Sequence, residues 1–378
     1  MKKFIMSFMM VTLALLSACQ QAPSDKIISS TLPPDSVAQS SNVSSNIKLE
    51  TPIKSQYDPE DSFILKIDAQ VYHDGYTSAP SYICLPMAFG DTLPAGKAFW
   101  GDKYNAEVIK HTENRDTTGI SWPYKAPLPW VEEYSLENVG VLSFTHGLGT
   151  IFGTGDPGMD TASVPNIEQW QRTGDADGDG RASEMKRSRE ECLAQAQAFI
   201  DSLSLDMQLI RTDVLDVTAF QSYRFYFARN YGGIPSSIGV NNLMRNYSWG
   251  KSLGEFMIIY VCDAGIYDVD AMLYDIVETK EAQPIINAQE ATTKLIEAAQ
   301  VYSMPVGHIS DGFVIDSISL VYLPQAVEGD GVDVIGDGRG GGLMRNMIPA
   351  WQFSTGYSKG RWSAIELYID ARTGEYLK

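Results

Sequence analysis

Six residues, Asp175-Ala176-Asp177-Gly178-Asp179-Gly180, have the spacing that a hard cation requires. Alternate Asp side chains supply three oxygens on one tight turn, and a Gly at the sixth place permits the sharp bend. In a calcium-loop count Arg181 offers its backbone carbonyl and Ser183 the ninth ligand. The twelfth place, which should be a bidentate Glu, is Lys186, and Glu184 comes two residues early. Asp175, Asp177 and Asp179 are therefore the candidate metal ligands and calcium the candidate ion. The competing reading is a solvated Asp/Gly turn leading into a helix.

Other short patterns match catalytic motifs in letters only. Gly356-Tyr357-Ser358-Lys359-Gly360 has the spacing of a nucleophile elbow, but no His follows it, the last being His308. A hydrolase of that type needs an acid and then a His downstream. Gly250-Lys251-Ser252 resembles the end of a phosphate loop, yet Arg245 stands where the first Gly is required. Gly153-x-Gly155-x-x-Gly158 and Gly336-x-Gly338-x-x-Gly341 open no helix after a parallel strand, so they read as loops. His146-Gly147-Leu148-Gly149 has the look of an oxyanion-hole loop without a nucleophile, and His146 reads as a turn residue. The aromatic stretch from Trp122 and Tyr124 to Trp130 could stack on a sugar or a peptide, or could pack a loop-rich domain. No catalytic residues are assigned, and the chain reads as a non-enzyme.

These motifs sit in a chain of 378 residues, long enough for two or three domains. Hydrophobic residues are 44% and charged ones 20%, which suits a packed core. The formal charge of −18 argues against nucleic acid as a partner, because phosphate backbones call for basic patches. Phe63, Leu65, Ile67, Ala69 and Val71 alternate on one face of a half-buried strand. Residues 47–182, rich in Gly, Pro and aromatics, read as a mostly β N-terminal domain.

The second half carries an internal repeat. Ser188-Arg189-Glu190-Glu191 and Asn287-Ala288-Gln289-Glu290 both have the form of a capping box. Cys192, Ala196, Phe199, Ile200 and Leu203 follow the first at helical spacing; Ala291, Leu295, Ala298, Ala299 and Tyr302 follow the second. The two starts lie about 100 residues apart, as do Leu243-Met244-Arg245-Asn246 and Leu343-Met344-Arg345-Asn346. Strand-like runs follow each helix. Residues 183–280 and 281–378 are thus expected to form two duplicated units, each a helix packed on an antiparallel sheet, giving an α+β fold.

Residues Tyr223 to Pro235, Ile348 to Phe353 and Tyr368 to Leu377, with the ending Asp370-Ala371-Arg372-Thr373-Gly374, resemble the PepSY superfamily. The whole chain is similar to an uncharacterised family of lipoproteins from Gram-positive gut bacteria. Cys262-Asp263-Ala264-Gly265 lacks the full spacing of that ending, so the first repeat departs from the pattern. The resemblance implies a binding or regulatory module with no catalytic residues to carry over.

Residues 1–18 have a positive start, Lys2 and Lys3, and an apolar run from Phe4 to Leu16. That run falls short of the roughly 20 apolar residues of a membrane span. Leu16-Ser17-Ala18-Cys19 resembles the lipobox of bacterial lipoproteins, which implies cleavage before Cys19 and attachment of a lipid to its thiol. Residues 19–46, rich in Ser and Pro, read as a flexible stalk. The expected location is the extracytoplasmic face of the cell membrane, with the membrane and an envelope protein as partners. The function expected is a non-enzymatic binding or regulatory role there. The alternatives are a solute- or glycan-binding lipoprotein or an envelope hydrolase. Cys84, Cys192 and Cys262 remain as buried small hydrophobes, an odd number that suggests no disulfide framework.

Overall fold

A computed structural model of the chain describes residues 45–54, 62–101, 104–105, 107, 109–115, 130–137, 140–155, 185–217, 220–238, 254–302, 313–327, 344–355 and 366–377. These residues lie within one compact unit, 34–378. Cys19, Asp175, Asp177, Asp179, Trp122, Tyr124 and the motifs at Gly250–Ser252, Gly336–Gly341 and Gly356–Gly360 lie outside them.

The described chain is mostly β, with nineteen strands and three helices. One sheet contains β5 (Lys110–Asn114), β6 (Trp130–Leu136), β7 (Gly140–His146) and β8 (Thr150–Thr154). It continues with β9 (Met207–Val217), β10 (Phe220–Tyr231), β11 (Ile234–Pro235), β12 (Phe256–Cys262) and β13 (Gly265–Met272). Its nine strands run in the order β11-β10-β12-β13-β8-β7-β6-β5, with β9 also on β10. The second sheet contains β1 (Asn46–Lys54), β2 (Ser62–Tyr72), β4 (Tyr82–Pro86) and β14 (Tyr274–Thr279). β16 (Phe313–Ala326), β17 (Arg345–Ser354), β18 (Glu366–Asp370) and β19 (Tyr376–Leu377) complete its eight strands. A small ribbon pairs β3 (Ser78–Ala79) with β15 (Gln283–Pro284).

The helices form as their sequences require. α2 (Arg189–Ser202) and α3 (Ala288–Val301) each start with a complete capping box, Ser188 with Glu191 and Asn287 with Glu290. Cys192, Ala196, Phe199 and Ile200 are buried against the nine-stranded sheet, where α2 lies beside α1 (Leu93–Trp100). α3 instead packs on β1, β18 and β19 of the other sheet. Leu65, Ile67, Ala69 and Val71 on β2 are buried, as their alternation requires. Tyr302, expected on the buried face of the second helix, lies just past its end and is exposed.

The expected fold of two duplicated helix-on-sheet units behind a β-rich domain is corrected. The first sheet runs on through β8, β7, β6 and β5, because β8 pairs antiparallel with β13. The second is extended by β2, which runs parallel to β16, and by β4, which bridges β17 and β14. α2 shares its layer with an upstream helix, whereas α3 rests partly on an upstream strand. The physical reason is edge satisfaction. A three-stranded unit leaves unpaired N–H and C=O rows on its outer strands, and here upstream strands cover them. The Cys262-Asp263-Ala264-Gly265 segment is a tight hairpin turn into β13, a strand that residue pattern alone did not show.

Three tyrosines tie the sheets together. The rings of Tyr82 on β4, Tyr231 on β10 and Tyr322 on β16 lie 5.2 Å apart in each pair. Main-chain bonds support the junction: Ser237 N–H donates to Tyr322 carbonyl at 2.8 Å, and Met87 N–H to Leu273 carbonyl at 3.0 Å.

Candidate functional site

Successive strand side chains alternate between faces, so Trp130, Glu132 and Tyr134 share one face of β6. The antiparallel register places Glu113 opposite Glu132 and His111 opposite Tyr134 on one side. On the other side His146 lies opposite Trp130. Two of the chain's four histidines thereby meet one carboxylate diagonally from both neighbouring strands.

Glu132 is the centre. Its Oε1 lies 2.8 Å from His111 Nε2 and its Oε2 lies 3.0 Å from His146 Nε2. The Tyr134 hydroxyl donates to Oε1 at 3.1 Å and lies 2.9 Å from the Thr92 hydroxyl. Thr92 stands at the N-cap of α1, but its side chain makes no cap bond there. Glu132 and His146 are buried, whereas the His111 side chain is 44% exposed. The site is thus closed beneath, and β5 ends the sheet among the described residues.

Aromatic contacts fix the rings. His111 stacks on Tyr134 with centroids 4.6 Å apart. His146 stacks on Trp130 at 3.7 Å with the planes only 6° apart. The Arg115 guanidinium carbon lies 4.2 Å from the centroid of Trp130. Trp130 thus stacks on one imidazole and has a guanidinium within cation–π distance of its ring. Arg115 Nε also donates to Glu113 Oε2 at 2.8 Å.

The electrostatics follow from burial and donors. Burial pushes the Glu132 carboxyl up, but hydrogen bonds from Thr92, His111, His146 and Tyr134 outweigh it and hold the group below its ordinary range. Burial lowers His146, and the neighbouring Glu132 offsets part of that. A carboxylate in this state accepts hydrogen bonds well and takes up a proton poorly. Ligating atoms of His111, Glu113 and Glu132 all lie within 4.8 Å of one another, a grouping that could hold a metal ion.

Sequence reasoning treated His146 as a turn residue and did not single out His111, Glu113 or Glu132. His146 is the last residue of β7, with its ring turned onto Trp130. The signal present was the i, i+2 spacing of His111 with Glu113 and of Trp130 with Glu132 and Tyr134. Cys84, Cys192 and Cys262 are buried, as the reading of them as small hydrophobes expects. Burial pushes Cys192 up to about 11.

No family model matches the chain, and no curated protein matches it either. Among solved structures, one of an uncharacterized protein from Eubacterium rectale is similar, with a TM-score of 0.55 and 16% sequence identity. The match covers 83% of this chain and 90% of that one, and at this identity it speaks for the fold alone.

Proposed function

We propose that the chain is an extracytoplasmic lipoprotein, tethered through Cys19, which binds a partner or ligand without transforming it. The recognition site in this reading is the β5–β7 edge around Glu132. The observation that carries it is the state of that carboxylate. Both oxygens already accept hydrogen bonds, from His111 and Tyr134 on one and His146 on the other. A general base needs a lone pair aimed at substrate and a pKa near the working pH. The donors around Glu132 hold it ionised and below the ordinary carboxylate range, away from a working pH near neutrality. A rigid, pre-ordered set of rings and charges beside an open edge suits binding, where preorganisation saves ordering entropy. The lipobox and the Ser/Pro-rich stretch after it support the membrane tether.

The test is site-specific photocrosslinking in intact cells. A photoreactive residue at Lys110 on the edge strand should give a discrete adduct, and one at exposed Lys280 should not. Cys19→Ala should leave the membrane fraction after a high-salt wash. Retention of Cys19→Ala in that fraction would overturn the tether. Equal or absent adducts at both positions would overturn the site.

A further inference from the structure

We propose that His111, Glu113 and Glu132 bind a zinc ion on the open edge of the nine-stranded sheet. The proposal deepens the binding reading above, on which it rests for the place of the site but not for the lipid tether.

The strand register supplies the first argument. Glu113 and Glu132 stand directly opposite one another on β5 and β6. Like charges in that position repel and destabilise a sheet pair. Arg115 relieves Glu113 from outside at 2.8 Å, but it forms no bond to Glu132 among those described. A divalent cation between the two carboxylates would relieve both at once.

The donor set decides the kind of ion. Calcium takes six to eight oxygens. Here an imidazole nitrogen stands with two carboxylates, a set that suits zinc, which binds nitrogen and oxygen with low coordination number. Three protein ligands leave a fourth tetrahedral position for water or for a donor from a bound partner. That open position would face the β5 edge, where His111 and Glu113 side chains are 44% and 42% exposed.

The distances need only side-chain adjustment. Two ligands at about 2.1 Å from zinc, set at the tetrahedral angle, lie about 3.4 Å apart. The His111–Glu132 contact of 2.8 Å must open slightly, and the wider spacings, up to 4.8 Å, must close. Glu113 and His111 are exposed enough to move, while Glu132 is held in place. His146 fixes the oxygen of Glu132 that faces away from His111. The Tyr134 ring beneath His111 fixes the imidazole plane. Such outer contacts orient ligands in zinc sites and sharpen their affinity.

Calorimetric titration of the chelator-stripped chain carrying Cys19→Ala with zinc chloride tests the site. One zinc per chain is expected, and His111→Ala and Glu113→Gln should each weaken binding at least tenfold with an unchanged far-ultraviolet circular dichroism spectrum. Cobalt substitution should give the strong visible absorption of a four-coordinate ion, lost in His111→Ala. Glu132→Gln, at a buried position, could unfold the edge, so the two exposed variants decide. No heat of binding up to millimolar zinc would overturn the proposal. So would a zinc affinity unmoved by both exposed variants, because the ion would then sit elsewhere. A Lys110 adduct without zinc binding would overturn the zinc site and leave the recognition edge standing.

Discussion

Tyr231 donates its phenolic hydrogen to Glu255 at 2.5 Å, and that carboxylate is fully buried where the two sheets meet. Glu255 also accepts from the Tyr274 amide at 3.0 Å and lies 3.5 Å from Arg229 Nη1. Arg229 in turn donates to the Tyr274 carbonyl. Because Tyr231 lies on β10 and Tyr274 opens β14, one carboxylate binds both sheets. Removing it takes the nearby carboxylate away from a largely buried guanidinium. Glu255→Ala should therefore cost about 3–5 kcal/mol, and Glu255→Gln less, because the amide keeps the side-chain shape and an acceptor oxygen for one of the two donors, Tyr231 or the Tyr274 amide. Urea unfolding of both variants measures this, and a loss under about 1 kcal/mol for Glu255→Ala would contradict it.

The same carboxyl sets a pH dependence. Burial pushes Glu255 above its ordinary 4.5, and Arg229, Tyr231 and the Tyr274 amide pull it back only in part. The folded protein then holds this proton more tightly than the unfolded chain. Its stabilising contribution is complete below the unfolded value and is lost as pH rises through the higher folded one. Wild type should lose stability relative to Glu255→Gln between about pH 4.5 and the pH at which the folded group has ionised. Urea midpoints of both proteins across that window give the slope, and the opposite sign would refute the assignment.

Cys192 faces the core from α2, and burial pushes its thiol up to about 11. At pH 8 only about 0.1% would be thiolate, the reactive form. Iodoacetamide should leave Cys192 unlabelled in the native protein and label it in denaturant. Mass spectrometry of the peptides reports the result, and rapid native labelling would place the thiol nearer solvent.

Each capping box should be measurable on its own. Ser188→Ala removes the acceptor for the Glu191 amide, and Asn287→Ala that for the Glu290 amide. Each loss should be about 0.5–2 kcal/mol, with Asn287→Gly costing only a few tenths. Equal losses for Ala and Gly at position 287 would point to packing rather than capping.

Gly149, in the turn between β7 and β8, has φ of +66°, and a Cβ there would meet the Leu273 carbonyl oxygen at 2.0 Å. Its own carbonyl accepts from the Leu273 amide at 2.8 Å. Gly149→Ala should cost more than about 1 kcal/mol and speed hydrogen exchange at Leu273. An unchanged exchange rate would mean that this contact does not hold the turn.

Local features were legible in the residues alone. The capping boxes at Ser188 and Asn287, the buried stripe Cys192–Ala196–Phe199–Ile200 and the alternating face of β2 depend on contacts within a few residues, which sequence periodicity records. The strand after Cys262 did not show, because a two-residue turn and a strand interrupted by Asp268 and Asp270, Gly265–Met272, leave only a weak pattern. Partner choice lay further out of reach. The pairing of β8 with β13 and the parallel pairing of β2 with β16 are settled by which open edge a distant strand can cover. The same holds for the candidate site. His111, Glu132 and His146 carry no motif, and one residue of slip in either strand pair would turn a member to the opposite face. Their meeting is a property of register, and register is decided only when the whole sheet forms.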